Sequence, residues 1–157
     1  NIAAFAGGSG ITPIMSIART VLDSNPKNKF VLVYGNKSYE ETMFYTDLVK
    51  LELDYTNRFF VYFTNSQTRE EKALFGRIDT ATVNYALKNK HKELSFDGYY
   101  LCGPEKMILL VTDTLLDNDI PKDKIHFELF TTTEIKEANR AHNMSPFKPT
   151  GRYVFTK

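Results

Sequence analysis

Apolar positions along this chain come in two rhythms. Short, mostly apolar runs without regular alternation cover residues 2–6, 30–34, 58–63, 98–102 and 125–130, with Arg58, His126 and Glu128 as their charged or polar members. Most are closed by Gly, Asn or Pro, the pattern of strands buried on both faces. Between them, apolar residues fall three or four apart. Ile14, Ile17, Ala18, Val21 and Leu22 form one stripe of a helix over 13–23, broken by Asn25-Pro26. Phe44, Leu48 and Leu51 mark a second helix over 40–53, and a third runs from Asp79, a cap, to about 89. Residues 64–74 read as a polar loop. Pro104 and Glu105 open a fourth helix, proline at its first position and a carboxylate in its first turn. That helix carries Met107, Ile108, Val111, Leu115 and Leu116.

Strands alternating with helices predict an α/β domain, a doubly wound, five-stranded parallel sheet of Rossmann-like type over residues 1–132. Ligands then belong at the carboxyl ends of the strands. Residues 133–157 change character: Pro146 and Pro149 suggest a linker and 152–155 a short strand, with a loose terminus as the alternative. Asn1 leads almost directly into a strand, so the chain reads as a piece of something longer.

The 157 residues suffice for one domain with a real core, and 42% hydrophobic with 25% charged residues is ordinary for a soluble protein. A net charge of +1 with no basic stripe gives no case for nucleic acid, and no apolar run approaches the roughly 20 residues a membrane span needs. A single cysteine excludes an internal disulfide, a four-cysteine cluster or a recognisable zinc site, and fits a cytoplasmic setting. No metal ligands are expected.

The first strand runs into Gly7-Gly8-Ser9-Gly10-Ile11-Thr12-Pro13. Glycines allow close backbone approach to a ligand, and the N–H groups of a helix start attract phosphate. Thr12 is the expected N-cap and Pro13 the first helical residue. No lysine follows, so this is not a Walker A loop. By itself it is also readable as a glycine turn before an ordinary helix.

Three further strand ends carry chemistry: Tyr34-Gly35-Asn36, Cys102-Gly103-Pro104 and Glu128-Leu129-Phe130. With the glycine turn, these resemble the nicotinamide-dinucleotide domain of the ferredoxin–NADP⁺ reductase family, most closely its phenylacetyl-CoA oxygenase reductase type. That type runs flavin domain, nucleotide domain, then a [2Fe–2S] ferredoxin domain. The resemblance covers residues 2–133, and the ordered pair Ala-Gly-Gly-Ser-Gly-Ile-Thr-Pro-Ile and Leu-Cys-Gly-Pro-Glu-Lys-Met carries it.

The resemblance implies a role for each strand end. Gly7, Gly8, Ser9, Gly10, Thr12 and Pro13 would hold pyrophosphate and ribose, Thr12 acting as cap or as ligand contact. Cys102 would lie beside the nicotinamide, positioning it without acting as nucleophile; a small buried hydrophobe is its other reading. Gly103 would give close approach, and Pro104 and Met107 would line the channel, Met107 otherwise serving as helix core. Glu128 would orient rings or relay protons at the flavin–nicotinamide junction, or else reach solvent at the strand end. Phe130 would pack by the flavin, while His126 is structural.

At the adenosine end, Asn36 and Lys37 follow the second strand where NAD⁺ sites carry an acid, and Lys37 inclines the reading toward NADPH. Relatives show Ser-Arg after the third strand. Here Thr64 and Asn65 stand there with only Arg69 nearby, which weakens that inclination. The implied cofactors are NADP or NAD, FAD held mainly by an upstream domain, and [2Fe–2S] in a downstream one. The implied partners are the dinucleotide, the flavin domain of the same parent chain, and a ferredoxin domain or oxygenase. The function expected is hydride delivery to FAD and onward electron transfer. A non-catalytic dinucleotide sensor and the reductase part of a flavohaemoglobin are the alternatives.

Overall fold

Unbroken runs of β-branched and aromatic residues cannot leave either strand face in water, and the fold covers both. A computed structural model describes residues 1–129. Its elements in order are β1 (Ile2–Gly7), a 3₁₀ turn (Gly8–Gly10), α1 (Ile11–Ser24), β2 (Phe30–Asn36), α2 (Tyr45–Asp54), β3 (Phe59–Asn65) and β4 (Leu74–Phe75). Then come α3 (Thr80–Asn84), continued by π-helical turns (Tyr85–Lys90), β5 (Gly98–Gly103), α4 (Glu105–Asp117) and β6 (Ile125–Leu129).

The six strands are all parallel, in the order β4-β3-β2-β1-β5-β6. The period-2 geometry of a strand divides its side chains between two cores. Ala4, Ala6, Leu32, Tyr34, Tyr100 and Cys102 pack against α1 and α2, sharing a core with Ile11, Ile14, Leu22 and Leu48. Ala3, Phe5, Val31, Val33, Tyr99 and Leu101 pack on the other face with Val83, Ile108, Val111 and Leu115 of α3 and α4. The chain builds outward from β1 through β2, β3 and β4, then crosses to the opposite side of β1 for β5 and β6. That reversal opens a crevice between the ends of β1 and β5.

Polar contacts fix the ends of these elements. Asp79 caps α3, its carboxylate accepting from the Thr82 amide at 2.7 Å. The Arg58 guanidinium, leading into β3, donates to the carbonyls of Leu22 at 2.6 Å, Asn25 at 2.8 Å and Asn28 at 3.0 Å. A cation thus closes the C-terminal end of α1 and the turn after it.

Several expectations are corrected here. Among the described residues the sheet has six strands, not five, because Leu74–Phe75 adds to the edge of β3 beyond the polar loop. The first helix starts at Ile11 with Gly10 as its N-cap and no side-chain cap, so Thr12 is its second residue and Pro13 its third. The 3₁₀ turn brings the chain into helical geometry early; Pro13 still sits in the first turn, where a missing N–H is harmless. Pro104 is itself an N-cap, in extended geometry, ahead of Glu105. The second helix begins only at Tyr45, after Phe44 takes a left-handed φ of 60°. Phe44 is exposed, so its apparent place on the apolar stripe was coincidental. Phe130, the ends of the expected fifth strand and domain, and the 133–157 linker with its 152–155 strand lie outside the described residues.

Candidate functional site

Four of the five strand ends expected to carry chemistry or adjoin it converge on the carboxyl edge of the sheet around the β1/β5 crevice. The reason for the glycines there is mostly internal. A Cβ on Gly10 would fall inside the contact distance of the Cys102 carbonyl oxygen and 2.9 Å from the Gly103 nitrogen. One on Gly7 would stand 2.7 Å from Pro104 Cδ and 3.1 Å from Met107 Sδ. Gly103, at φ 154°, would bring a Cβ to 2.9 Å from the Gly7 nitrogen and 3.0 Å from Met107 Cε. The β1–α1 turn and the β5–α4 turn are therefore interlocked backbone on backbone, with Met107 over the joint.

Gly8 is different. Its φ of 53° needs glycine, but nothing lies within 4 Å of where a Cβ would be. Ser9 and Thr12 are exposed beside it. The open part of the turn is thus Gly8, Ser9 and Thr12, while Gly7 and Gly10 close it from beneath. The Gly8 carbonyl accepts a hydrogen bond from the Tyr34 hydroxyl at 3.0 Å, so β2 holds the turn from the side. Tyr34 is fully buried, and burial raises its phenol above the ordinary value of 10.0. The Asn36 side chain and the Met43 backbone moderate that rise.

On the β5 side, Cys102 is buried in the core under α1 and pairs in register with Glu128 of β6. Burial first, and then the neighbouring Glu128 charge, hold its thiol far above the ordinary range. A protonated thiol is no nucleophile. Glu128 is half-buried on the same face, and His126 stacks on Tyr100 at 5.0 Å, the structural place expected for it.

On the β2–β3 side, Asn36 and Asn65 are register partners. The loops beyond them are tied together: the Ser66 amide donates to the Asn36 carbonyl at 3.0 Å and the Gln67 amide to the Lys37 carbonyl at 2.9 Å. Thr64 Oγ1, Asn65 Oδ1 and Asn36 Nδ2 are buried and make no hydrogen bond among the described residues. Thr64 lies toward Ile78 and Gly35, on the opposite sheet face from Asn65. Lys37 is exposed, and Arg69 lies over the Phe75 ring at 4.1 Å. A pocket of about 260 Å³ opens next to Asn65, lined by Tyr39, Thr42, Tyr45, Phe63, Glu70, Glu71, Lys72 and Ala73. Sequence reading assigned Tyr34 no role of its own and did not find this pocket. The pocket joins residues some thirty positions apart, and no local pattern marks them.

Taken together, the edge fits a dinucleotide: an open glycine turn at a helix start in the centre, buried polar atoms without partners on one side, and a thiol–carboxylate pair on the other. It cannot hold an iron–sulfur cluster, since the chain has one cysteine. Among the described residues no group of His, Cys, Asp and Glu is arranged for a metal, and no helix is long and apolar enough to cross a membrane.

A doubly wound sheet with such an edge at its switch point defines a nucleotide-binding α/β domain. The family model for the oxidoreductase NAD-binding domain matches residues 5–113, and the chain belongs to that family. One subunit of the 1,2-phenylacetyl-CoA epoxidase from Escherichia coli K12 is 33% identical over 138 residues, covering 86% of this chain and 39% of that protein. A flavohemoprotein from Oceanobacillus iheyensis is 25% identical over 130 residues, 82% of this chain and 31% of its own. Among solved structures, the CS-b5R domains of human Ncb5or in the NAD⁺ form superpose with a TM-score of 0.72 at 26% identity, covering 80% of this chain and 36% of that one. The chain thus spans well under half the length of each.

Proposed function

We propose that this chain is the nicotinamide-dinucleotide domain of a flavin-dependent oxidoreductase of the ferredoxin reductase type. It holds NAD(P)H along the carboxyl edge of the sheet and presents the nicotinamide to FAD carried mainly by a separate domain. From there electrons pass to an iron–sulfur centre and an oxygenase component. The observation that carries this reading is the open Gly8 turn locked against Cys102-Gly103-Pro104 at the switch point, with Glu128 beside Cys102. The likeness to the epoxidase protein supports the oxygenase partner, and residues 133–157 are then a connection toward a ferredoxin domain.

The bound dinucleotide supplies the hydride chemistry; the protein supplies orientation. Gly8, Ser9 and Thr12 would hold the pyrophosphate from the open face of the turn, with Gly10 closing it beneath at the start of α1, whose dipole favours negative charge. Cys102 and Gly103 form a small, rigid floor for the ring, and Pro104 with Met107 keeps that floor against Gly7. The carboxylate of Glu128, in register with Cys102, would help orient the nicotinamide toward the flavin. Cys102 contributes shape, because its thiol stays protonated.

Calorimetric titration of the chain with NAD⁺ and NADP⁺ tests the binding step, and saturable binding of one or both is expected. Stopped-flow flavin reduction in the flavin-bearing parent tests the rest: Glu128→Gln should slow reduction with little change in dinucleotide affinity. Binding of neither dinucleotide would overturn the proposal. The likeness to flavohemoproteins favours one alternative, in which electrons go to haem. Haem absorbance in the parent, without an iron–sulfur signature, would select it.

A further inference from the structure

The pocket at the end of β3 lies two strands from the Gly8 turn, about 10 Å along the sheet edge. It sits on the α2 side, on the opposite flank of the turn from Cys102 and Glu128. One wall is aromatic: Tyr39 meets Tyr45 edge to face at 4.6 Å, and Tyr45 meets Phe63 at 4.8 Å. The base of the pocket includes Asn65, only 3% exposed, whose Oδ1 accepts no hydrogen bond among the described residues. A buried acceptor without a donor is costly, so its complement is a ligand group bearing N–H or O–H.

The charge of the rim points the same way. Glu70, Glu71 and Lys72 line the pocket, two carboxylates against one ammonium. The other cations nearby do not line it: Lys37 is exposed on the loop after β2, and Arg69 is engaged over Phe75. A ribose 2′-hydroxyl brings a donor that an amide oxygen or a carboxylate satisfies. A 2′-phosphate brings acceptors only and about two negative charges into an acidic rim.

We propose that in this pocket, at the adenosine end of the dinucleotide site, Asn65, Glu70 and Glu71 select an unphosphorylated ribose, making the chain specific for NAD(H) over NADP(H). The inference rests on the dinucleotide-domain reading above and reverses the inclination toward NADPH that Lys37 suggested. Tyr39 and Tyr45 supply the apolar surface for the base, and the pocket's acceptors read the sugar.

Half-ligands isolate the pocket from the nicotinamide side. The chain is titrated with adenosine 5′-monophosphate, with adenosine 2′,5′-bisphosphate, and with NAD⁺ and NADP⁺. The expected result is a Kd for each 2′-phosphorylated ligand about tenfold or more above that of its partner. The Glu70→Gln/Glu71→Gln variant should narrow that gap severalfold by improving the 2′-phosphorylated ligands alone. Asn65→Ala should weaken the monophosphate. Because Glu70 and Glu71 are exposed, circular dichroism of the double variant should match the parent. Equal or tighter binding of the 2′-phosphorylated ligands overturns the specificity and leaves the dinucleotide domain standing. Selective binding of NAD⁺ that the double variant leaves unchanged overturns the assignment to this pocket. Failure of both dinucleotides to bind sinks the domain reading itself, and this inference with it.

Discussion

Gly10 and the Cys102 carbonyl share one small space: the oxygen lies where a side chain on residue 10 would have to begin. Two turns about ninety residues apart in sequence are closed on each other by that absence. Because the obstruction is backbone on both sides, it cannot be relieved by a rotamer change.

Gly10→Ala should therefore cost stability more than Gly8→Ala does. The first overpacks a backbone joint, at about 1–3 kcal/mol or more. The second meets open space and pays only the left-handed φ, about 1–2 kcal/mol. Urea unfolding midpoints of the two variants check this. A Gly10→Ala protein as stable as Gly8→Ala would mean the turns are not interlocked.

Tyr34 links β2 to the glycine turn through one hydrogen bond to the Gly8 carbonyl. Tyr34→Phe removes the donor and keeps the ring, so the expected loss is about 0.5–1.5 kcal/mol. Dinucleotide affinity should fall by less than about tenfold, since the turn loosens without losing its own groups. Calorimetry beside thermal unfolding measures both; an unchanged Tm would discount the bond.

Cys102 should resist alkylation in the folded chain. Burial and the Glu128 charge keep the thiol protonated, and the thiolate is the reactive form. With iodoacetamide at about pH 8, labelling should follow the opening of the fold and become complete in denaturant. Rapid stoichiometric labelling of native protein would contradict the site as described.

His91 gives the chain an acid-side weakness. It is 5% exposed, bonded to the Tyr62 hydroxyl at 2.7 Å, and packed at a tilt against the Phe60 ring, centroids 4.5 Å apart. Burial lowers its pKa below the ordinary 6.5, against a smaller raising effect of Glu93, with Lys29 and Lys90 lowering it further. Burial also lifts the Tyr62 phenol to about 12, so that partner stays neutral. The unfolded chain then binds a proton at His91 before the folded one does. Stability is complete above about pH 6.5 and falls as pH drops from there toward the depressed folded value. His91→Gln, titrated by urea unfolding from about pH 7.5 to 5, should show a shallower decline; an identical slope would exclude His91 as a cause. His126, also lowered by burial, adds to the slope in both proteins.

Much of this was legible in sequence because it is local. Apolar runs such as 30–34 announce strands, Asp79 announces a helix start, and the glycine and Cys-Gly-Pro turns stand out as chemistry-bearing strand ends. The errors were also local in origin. Thr12 and Pro13 have the composition of a cap and first residue, yet the helix begins at Ile11, because the 3₁₀ turn set by packing against Cys102 comes first. Phe44 matches a helical period, yet the chain turns left-handed there and leaves it exposed.

The sequence by itself determined which segments are buried, in what order strand and helix alternate, and which strand ends carry glycine, thiol and carboxylate. Each of these follows from side-chain size and polarity within a few residues. Tertiary structure alone decided which of those ends meet. It showed that Gly7, Gly10 and Gly103 interlock the two turns backbone on backbone, and that Asn36 and Asn65 lie side by side. It also brought the acidic rim of Glu70 and Glu71 to the same edge as the glycine turn. Strand order and register set these neighbours, and both arise from contacts between residues far apart in the chain, which no local pattern encodes.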